Sequence, residues 1–371
     1  MRVAIIHDYL NQYGGAERVL EALCELFPGA PVYTSIYDAE AMPGHYRTWD
    51  IRTSFMQRLP GWRKYFRRYF LLYPTAFESF DFSEYDLLIS SSSAYAKGVI
   101  PRPGALHICY CHTPMRFAWR TREYIEREEI TGLQRVLLPI GLTYVRLWDV
   151  ITANRVDRFV ANSYEVAGRI ARYYGRSSQV IAPPVDLPPY EPQPAGDFYL
   201  AGGRLIPYKR IELIIEAFTK LRLPLKVFGD GRDRQRLQQL AGPNIEFLGW
   251  VDEGTRCDLF ARCRAFIFPG EEDFGITPLE AMAAGRPVIA YGAGGALETV
   301  IDGVTGRFFH QQTAAAVAAA VAASHADWYD QAAIRRHAEQ YRRDLFLSRM
   351  RTVIDETLQD HQQQRLPHVR S

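Results

Sequence analysis

The chain has 371 residues, more than one hydrophobic core usually serves, so two domains are expected. Its composition of 47% hydrophobic and 23% charged residues is ordinary for a globular protein, and a formal net charge of +2 gives no general attraction to nucleic acid. The start, MRVAIIHDYL, is typical of a first strand and not of a signal peptide, and no apolar run reaches the roughly 20 residues of a membrane-spanning helix. We therefore expect a cytoplasmic protein without a nucleic-acid partner.

The first half of the chain alternates apolar strands with helical segments. Strand Val3–His7 precedes a loop with Gly14 and Gly15, and then a helix whose apolar face includes Val19 and Leu23. The pattern predicts further strands at Asp86–Ser90, Leu106–Cys111, Phe159–Ala161 and Gln179–Ile181. Six prolines between residues 183 and 194 then predict a linker between two domains.

The second half alternates strand with helix from Phe198–Gly202 to about residue 325, the pattern of a parallel sheet with crossover helices. The stretch Ala314–Ala323 is nearly all alanine and valine and predicts a closely packed helix. An amphipathic helix is predicted at Leu345–Leu358, and the polar end Gln359–Ser371 is expected to fray.

The five cysteines are scattered and odd in number, which argues against a disulfide framework. Cys109, Cys111 and His112 stand close together, but a metal site needs a further ligand at suitable spacing and none follows nearby. Cysteines buried in a strand are the better interpretation, and no metal site is predicted.

The stretch Pro269–Gly285, PGEEDFGITPLEAMAAG, is the most informative part of the sequence. It places Glu272 in a glycine-containing turn and Glu280, eight residues later, in the first turn of a helix. Thr277 is the expected N-cap of that helix, Pro278 its first residue and Glu280 the acid of a capping box. An apolar run before the turn predicts a buried strand, so the turn lies at the carboxyl end of a strand, where open α/β sheets bind ligands.

The same stretch resembles the E-x7-E signature of the family-four retaining glycosyltransferases, which have the GT-B fold. Three other segments are similar to this family in the expected order, namely GGRLIPYKRIELIIEAF at Gly202–Phe218, VFGDG at Val227–Gly231 and YGAGGALETVIDGVTGRFF at Tyr291–Phe309. In the first half the likeness rests on Gly14 and Gly15 and on YCHTP at Tyr110–Pro114.

The resemblance implies an α/β chain of GT-B type, with two facing Rossmann-like domains and a cleft between them. Residues 1–185 would be the acceptor-side domain, residues 186–344 the nucleotide-sugar-binding domain, and residues 345–371 a helix that returns to the first domain, with a polar tail. The implied reaction moves a sugar from a nucleoside diphosphate to an acceptor hydroxyl with retention of configuration. It needs no metal or other cofactor, and we assign no nucleophile.

By this resemblance, Arg204 and Lys209 clamp the donor diphosphate, on which negative charge builds as the glycosidic bond breaks. Gly14 and Gly15 precede a helix N-terminus, where backbone amides can approach an anion closely, and would meet the donor phosphate. The alternatives are two solvated surface cations and an ordinary helix start.

Glu272 would contact hydroxyls of the transferred sugar, beside the backbone amides of Phe274, Gly275 and Ile276. Glu280 would hold the ribose hydroxyls, although a capping-box acid needs no ligand to explain it.

His112 would lie beside the reacting sugar and complete a catalytic set with Arg204, Lys209 and Glu272. The alternative for His112 is a histidine with a purely structural role. His7 and Asp8 end the first strand and are weaker candidates for contact with the acceptor.

The segment Phe55–Tyr73 combines basic and aromatic residues, and across Arg47–Leu72 seven cations face the single acid Asp50. This composition suits the headgroup layer of an anionic bilayer, so peripheral contact with the inner face of the cell membrane through residues 55–73 is one interpretation. The alternative is a helix with a buried aromatic stripe and a solvated basic face.

The segments GRLIPYKR and GGALETVIDG look closest to bacterial mannosyltransferases of surface-polysaccharide assembly. GDP-mannose is therefore the expected donor, and a saccharide or lipid-linked saccharide the expected acceptor. A non-catalytic relative that binds a nucleotide or glycan is the alternative. A Rossmann dehydrogenase fits poorly, because Gly229-Asp230-Gly231 lacks the third glycine of the dinucleotide fingerprint.

Overall fold

The computed structural model describes residues 1–121, 133–187, 194–324 and 329–365. Residues 188–193 of the predicted linker and residues 366–371 of the predicted polar end lie outside these ranges. The chain divides into two compact units, one formed by Met1–Pro184 with Asp344–Ser371 and the other by Val185–Arg343. None of the helices in the described ranges is both long and apolar enough to span a bilayer.

The first unit is built on a seven-stranded parallel sheet with the order β3-β2-β1-β4-β5-β6-β7. Its strands are β1 Val3–His7, β2 Val32–Thr34, β3 Ile51–Thr53, β4 Leu87–Ser92, β5 Leu106–Cys111, β6 Arg158–Ala161 and β7 Ser178–Val180. Every residue of β4 and β5 is buried, as expected for strands covered by helices on both faces. The strand order reverses direction between β1 and β4, which is where sheets of this type bind ligands.

The helices of the first unit are α1 Gly15–Leu26, α2 Trp62–Tyr65, α3 Tyr73–Glu78, α4 Arg116–Trp119, α5 Leu133–Thr152 and α6 Tyr164–Tyr174. Short 3₁₀ turns occupy Gly44–Thr48, Phe55–Arg58, Phe66–Tyr69, Ala96–Gly98 and Ala153–Arg155. Helix α6 shows how the sequence sets the ends of an element: the Ser163 hydroxyl accepts from the Val166 amide at its start, and Gly175 ends it in the left-handed region.

The second unit contains a six-stranded parallel sheet with the order β10-β9-β8-β11-β12-β13. The strands are β8 Tyr199–Gly202, β9 Leu225–Phe228, β10 Ile245–Gly249, β11 Phe266–Phe268, β12 Val288–Tyr291 and β13 Gly306–Phe309. The order reverses between β8 and β11, so the loops that follow these two strands emerge side by side.

The helices of the second unit are α7 Ile211–Leu221, α8 Arg234–Leu240, α9 Glu253–Arg262, α10 Ile276–Ala283, α11 Ala296–Thr299, α12 Ala314–Ser324 and α13 Gln331–Ala338. Two 3₁₀ turns lie at Pro207–Lys209 and Glu339–Tyr341. Helix α14, Arg343–Arg365, follows. Its apolar side chains Phe346, Met350, Val353 and Ile354 belong to the core of the first unit, at the spacing of one helical face.

The predicted start of the helix in the acidic motif was wrong. Helix α10 begins at Ile276, with Gly275 as its N-cap at a φ of 89° and with no side-chain cap. This φ lies in the left-handed region, where glycine is favoured, so the chain turns into the helix before Thr277 is reached. Thr277 and Pro278 are therefore residues within the first turn, and Glu280 does not form the predicted capping box.

Candidate functional site

Lys209 lies in the loop that follows β8. The loop closes with the 3₁₀ turn Pro207–Lys209, and Arg210 then adopts a φ of 56° before α7 begins. Such a φ is uncommon for a residue other than glycine and turns the chain sharply. The Arg210 guanidinium is 3.3 Å from the Glu212 carboxylate in the first turn of α7, which supports this geometry.

The central contact of the second unit joins Lys209 to Glu272. The Lys209 Nζ lies 2.5 Å from the Glu272 Oε1, and the two side chains are only 16% and 17% exposed. Burial lowers the pKa of Lys209, but the charge of Glu272, a contribution from Tyr208 and the hydrogen bond to Glu272 together outweigh it, so the pKa of Lys209 is raised above its ordinary value. The charge of Arg204 acts on the pKa of Lys209 in the opposite direction.

The loop that carries Glu272 is held by residues to which the sequence alone assigned no role. The Gly295 amide donates to the Glu272 carbonyl at 2.9 Å, and a Cβ at Gly294, whose φ is 58°, would overlap that carbonyl. The Gln312 side chain donates to the Pro269 carbonyl at 3.1 Å. A glycine pair is therefore required here because the β12 loop packs directly on the backbone of the acidic turn.

Backbone amides of Phe274, Gly275 and Ile276 lie at the N-terminal end of α10. No side chain caps this end, and the first amides of a helix have no partner within the helix itself. Together with the helix dipole they favour an anion or an oxygen-rich ligand. Lys209, Glu272 and these amides thus converge at the strand-order reversal of one sheet.

Glu280 lies on the same helix but has a cation for a partner. Its Oε1 is 3.2 Å from the Arg256 Nη2, and its side chain is 11% exposed. The two line an open pocket of about 310 Å³, whose other residues are Asp186, Glu253, Cys257, Phe260 and Ala284. Without the capping box, the Glu280 carboxylate remains at a surface where it can meet hydroxyl groups.

The first unit has a second polar cluster at its own strand-order reversal. The Ser91 Oγ lies 2.8 Å from the His112 Nε2 and 3.1 Å from the His7 Nδ1, while the His7 Nε2 lies 3.4 Å from the Glu17 Oε1. Burial, with a smaller contribution from His7, lowers the pKa of His112 to about 3, so its imidazole is neutral near pH 7. Sequence reasoning identified His112 and His7 but missed Ser91 and Glu17, although four consecutive serines at the end of β4 are a visible signal.

The carboxylate of Asp8, a weaker candidate for acceptor contact, is hydrogen-bonded to the backbone of the protein itself. Its fully buried carboxylate accepts four backbone hydrogen bonds from Ser93, Ala94, Tyr95 and Ala96, at 2.5 to 2.9 Å. Burial raises the pKa of Asp8, and the charge of His7 and these amides counteract part of the rise. Asp8 therefore shapes the loop after β4.

Gly14 and Gly15 begin α1 as predicted. Gly14 is the N-cap and provides no side-chain cap, and a Cβ on it would lie 3.3 Å from the Glu17 Oε2. The Glu17 carboxylate thus already lies close to the start of α1, so an incoming phosphate would share this region with an acid.

Cys109 and Cys111 are buried free thiols in β5, as predicted. In the described part of the chain, no group of three or more His, Cys, Asp or Glu residues is arranged to hold a metal ion.

The chain has two parallel sheets, and in each of them polar residues lie where the strand order reverses. This is the architecture of the GT-B fold. The solved structure of HepE from Anabaena with UDP and glucose matches with a TM-score of 0.71 at 19% identity, over 96% of this chain and 99% of that one. Sucrose-phosphate synthase from Thermosynechococcus elongatus matches with a TM-score of 0.71 at 17% identity, over 97% and 100%. These likenesses confirm the predicted fold.

The sequence also matches two family models that follow one another along the chain. Residues 13–188 match Glycosyltransferase Family 4, and residues 191–341 match Glycosyl transferases group 1. Together the two models cover most of the chain, which therefore carries the domains of these glycosyltransferases, as the resemblance indicated.

Several curated relatives are similar over shorter segments. GDP-mannose-dependent alpha-mannosyltransferase from Mycolicibacterium smegmatis is 39% identical over 105 residues, covering 28% of each chain. O-antigen chain mannosyltransferase C from Escherichia coli is 33% identical over 101 residues, 25% of this chain and 27% of the relative. Alpha-1,3/1,6-mannosyltransferase ALG2 from Dictyostelium discoideum is 52% identical over 63 residues, 17% and 15% respectively. The matched segments thus span well under two thirds of these relatives.

Proposed function

We propose that this protein transfers a sugar from a nucleoside diphosphate to an acceptor hydroxyl, with retention of configuration. The observation that carries the proposal is the Lys209–Glu272 pair, 2.5 Å apart, with Glu272 in the loop that leads to the uncapped start of α10. The cation suits a diphosphate, and the carboxylate suits hydroxyl groups. Because the two are held together at a strand-order reversal, the pair suits a ligand that carries both a diphosphate and hydroxyls.

Each residue has a defined task in this proposal. Arg204 and Lys209 neutralise the charge that develops on the departing diphosphate, and the raised pKa of Lys209 keeps its ammonium protonated at neutral pH. Glu272 accepts hydrogen bonds from hydroxyls of the transferred sugar. The backbone amides of Phe274, Gly275 and Ile276 stabilise phosphate or sugar oxygens.

The remaining candidates bind the ends of the donor and the reacting sugar. Glu280 holds the ribose hydroxyls, and its pairing with Arg256 orients the carboxylate. Gly14 and Gly15 approach the donor phosphate, and His112 contacts the reacting sugar.

GDP-mannose is the proposed donor, and a saccharide or lipid-linked saccharide of polysaccharide biosynthesis is the proposed acceptor. Three similar proteins are described as mannosyltransferases, one of them as GDP-mannose-dependent and one as acting on an O-antigen chain. HepE, by contrast, was solved with UDP and glucose, so both nucleotides belong in the test.

The purified protein should hydrolyse or transfer the sugar of GDP-mannose faster than that of UDP-glucose. Because cationic side chains replace a divalent ion in this proposal, the rate should be unchanged in EDTA. Release of nucleoside diphosphate, measured with each donor with and without EDTA, tests both statements. A preference for UDP-sugars would correct the donor. Activity lost in EDTA and restored by magnesium or manganese would contradict the metal-free clamp, and no turnover with any donor would favour a non-catalytic binding protein.

We also propose that the protein contacts the anionic inner face of the cell membrane. In the segment 55–73, α2 and the 3₁₀ turn Phe66–Tyr69 replace a single regular helix. Their aromatic residues are half-buried against the core, while the cations point outward. These exposed cations are Arg63, Lys64, Arg67 and Arg68. Arg63 alone also pairs with Asp38, at 3.0 Å.

An exposed apolar stripe lies on α5, the helix that packs on the end of the basic segment. Its residues are Ile140, Tyr144, Leu147 and Ile151, between 50% and 69% exposed and spaced along one helical face. A Cβ at Gly141 would lie 2.9 Å from the Phe70 ring, so α5 packs directly on the end of the basic segment. Cations beside exposed apolar side chains favour the headgroup layer of an anionic bilayer over a purely solvated face.

Replacing Arg63, Lys64, Arg67 and Arg68 together with glutamine should release the protein from anionic vesicles. Each cation near the surface contributes about 1 kcal/mol to binding, and added salt should weaken it. A matched variant removes four other exposed cations, Arg172, Lys220, Arg349 and Arg351, and should still bind. Co-sedimentation with anionic and neutral vesicles decides the matter, and failure of the unmodified protein to bind either would contradict the proposal.

A further inference from the structure

Four buried side chains of the first unit form one continuous chain of hydrogen bonds. It runs from Glu17 through His7 and Ser91 to His112, with successive distances of 3.4, 3.1 and 2.8 Å. The members are at most 9% exposed, so water competes little for these contacts. Because each group can donate only as many protons as it carries, the end of the chain determines the direction of every bond.

The Glu17 end can act only as an acceptor. Its carboxylate lies in the first turn of α1, where the helix dipole favours negative charge, and carboxylate oxygens accept hydrogen bonds. The His7 Nε2, 3.4 Å away, therefore donates to Glu17. A His7 with a single ring proton then carries that proton on Nε2.

The direction then propagates to His112. With its proton on Nε2, His7 accepts through Nδ1 from the Ser91 hydroxyl. The Ser91 oxygen has given its proton away and so accepts from the His112 Nε2. A neutral His112 with its proton on Nε2 has a bare lone pair on Nδ1, and among the described residues the only side-chain hydrogen bond of His112 is the one from Nε2 to Ser91.

We propose that Glu17, His7 and Ser91 are positioning residues that fix the tautomer of His112, so that its Nδ1 accepts a hydrogen bond from a hydroxyl of the sugar substrate. This inference rests on the proposed function in one respect, namely that the ligand of His112 is a sugar. An acceptor nitrogen selects a hydroxyl and rejects a bare phosphate oxygen, because the latter has no proton to give. His112 therefore belongs to the sugar part of the substrate and not to its diphosphate.

The strand that holds Ser91 also offers a matched control. Ser90 is its neighbour on β4, is equally buried, and has its Oγ 2.8 Å from the His107 Nε2. Removing the Ser90 hydroxyl deprives His107 of one hydrogen bond, and removing the Ser91 hydroxyl deprives His7 and His112 of one each. Only the Ser91 hydroxyl, however, lies on the chain that reaches His112.

Nitrogen NMR of the protein with isotope-labelled histidine reports the tautomer directly and does not depend on enzyme activity. The His112 signals are assigned by comparison with the variant His112→Gln. The unmodified protein should carry the His112 proton on Nε2. Ser91→Ala should mix the two tautomers and lower turnover about tenfold, the effect of one hydrogen bond, whereas Ser90→Ala should change neither.

Glu17→Gln tests the far end of the chain with a side chain of nearly the same shape. Because the new amide can donate to His7, the bond order can reverse, and the His112 signals should shift toward the Nδ1-protonated form. A proton on Nδ1 in the unmodified protein, or His112 signals unchanged in Glu17→Gln, would overturn the proposal. A protein that has the Nε2 tautomer but shows no sugar transfer would instead refute the proposed function and leave the positioning chain intact.

Discussion

Replacing Lys209 with alanine should lower turnover by roughly 10²–10³-fold, the usual effect of removing one group that stabilises charge in the transition state. The Lys209 ammonium pairs with Glu272 at 2.5 Å, between the loops that follow β8 and β11. Without it, Arg204 would be the one remaining side chain of the proposed clamp to neutralise charge on the departing diphosphate. Steady-state turnover with GDP-mannose and UDP-glucose measures the loss.

A second lysine of the same unit provides the control. Lys226 pairs with Glu246 at 3.5 Å on neighbouring strands at the edge of the sheet, and its loss should change turnover less than twofold. Circular dichroism should show both variants folded. Near-normal turnover in Lys209→Ala would reject the clamp, and an equal loss in both lysine variants would point to a general effect on the fold.

Asp8→Asn should reduce the free energy of unfolding by about 3–5 kcal/mol, because a buried acceptor of four amides becomes a group that is half donor. The amides of Ser93, Ala94, Tyr95 and Ala96 would then compete for one oxygen, and some would stay unpaired in the interior. Urea denaturation of the purified variant measures the change.

Asp252→Asn is the matched control for this substitution. Its carboxylate accepts from the Thr255 amide as the exposed N-cap of α9, where asparagine serves almost as well. The urea midpoint of this variant should stay close to that of the unmodified protein. An Asp8→Asn loss below about 1 kcal/mol, with turnover abolished, would return Asp8 to the list of candidate acceptor contacts.

The sequence allowed much of the fold to be predicted because parallel strands are short apolar runs separated by polar turns. Strands β1 and β5 begin and end where the pattern predicted, and β4 continues two residues further, to Ser92. The position of Glu272 at the end of a buried strand followed from the same pattern. Its contact with Lys209 could be expected only from the family resemblance, since it depends on β8 and β11 becoming neighbours.

The remaining features of the fold and the site depend on backbone geometry and on the register between strands, which single residues do not reveal. Thr277 is a good N-cap by composition, but the positive φ of Gly275 starts α10 earlier. Ser91 reaches His112 because β4 pairs with β5 in a particular parallel register. No local pattern specifies that register, so the hydrogen-bond chain from Glu17 to His112 emerges only in three dimensions.

Crystals of the protein soaked with GDP-mannose or UDP-glucose would test the central claim most directly. We predict that the diphosphate lies within hydrogen-bond distance of Arg204 and Lys209, with a sugar hydroxyl on Glu272 and the ribose on Glu280. Binding would require Lys209 to divide its donors between the phosphate and Glu272. Nucleotide density away from these residues, or a Lys209–Glu272 pair with no phosphate oxygen near it in the occupied crystal, would contradict the account.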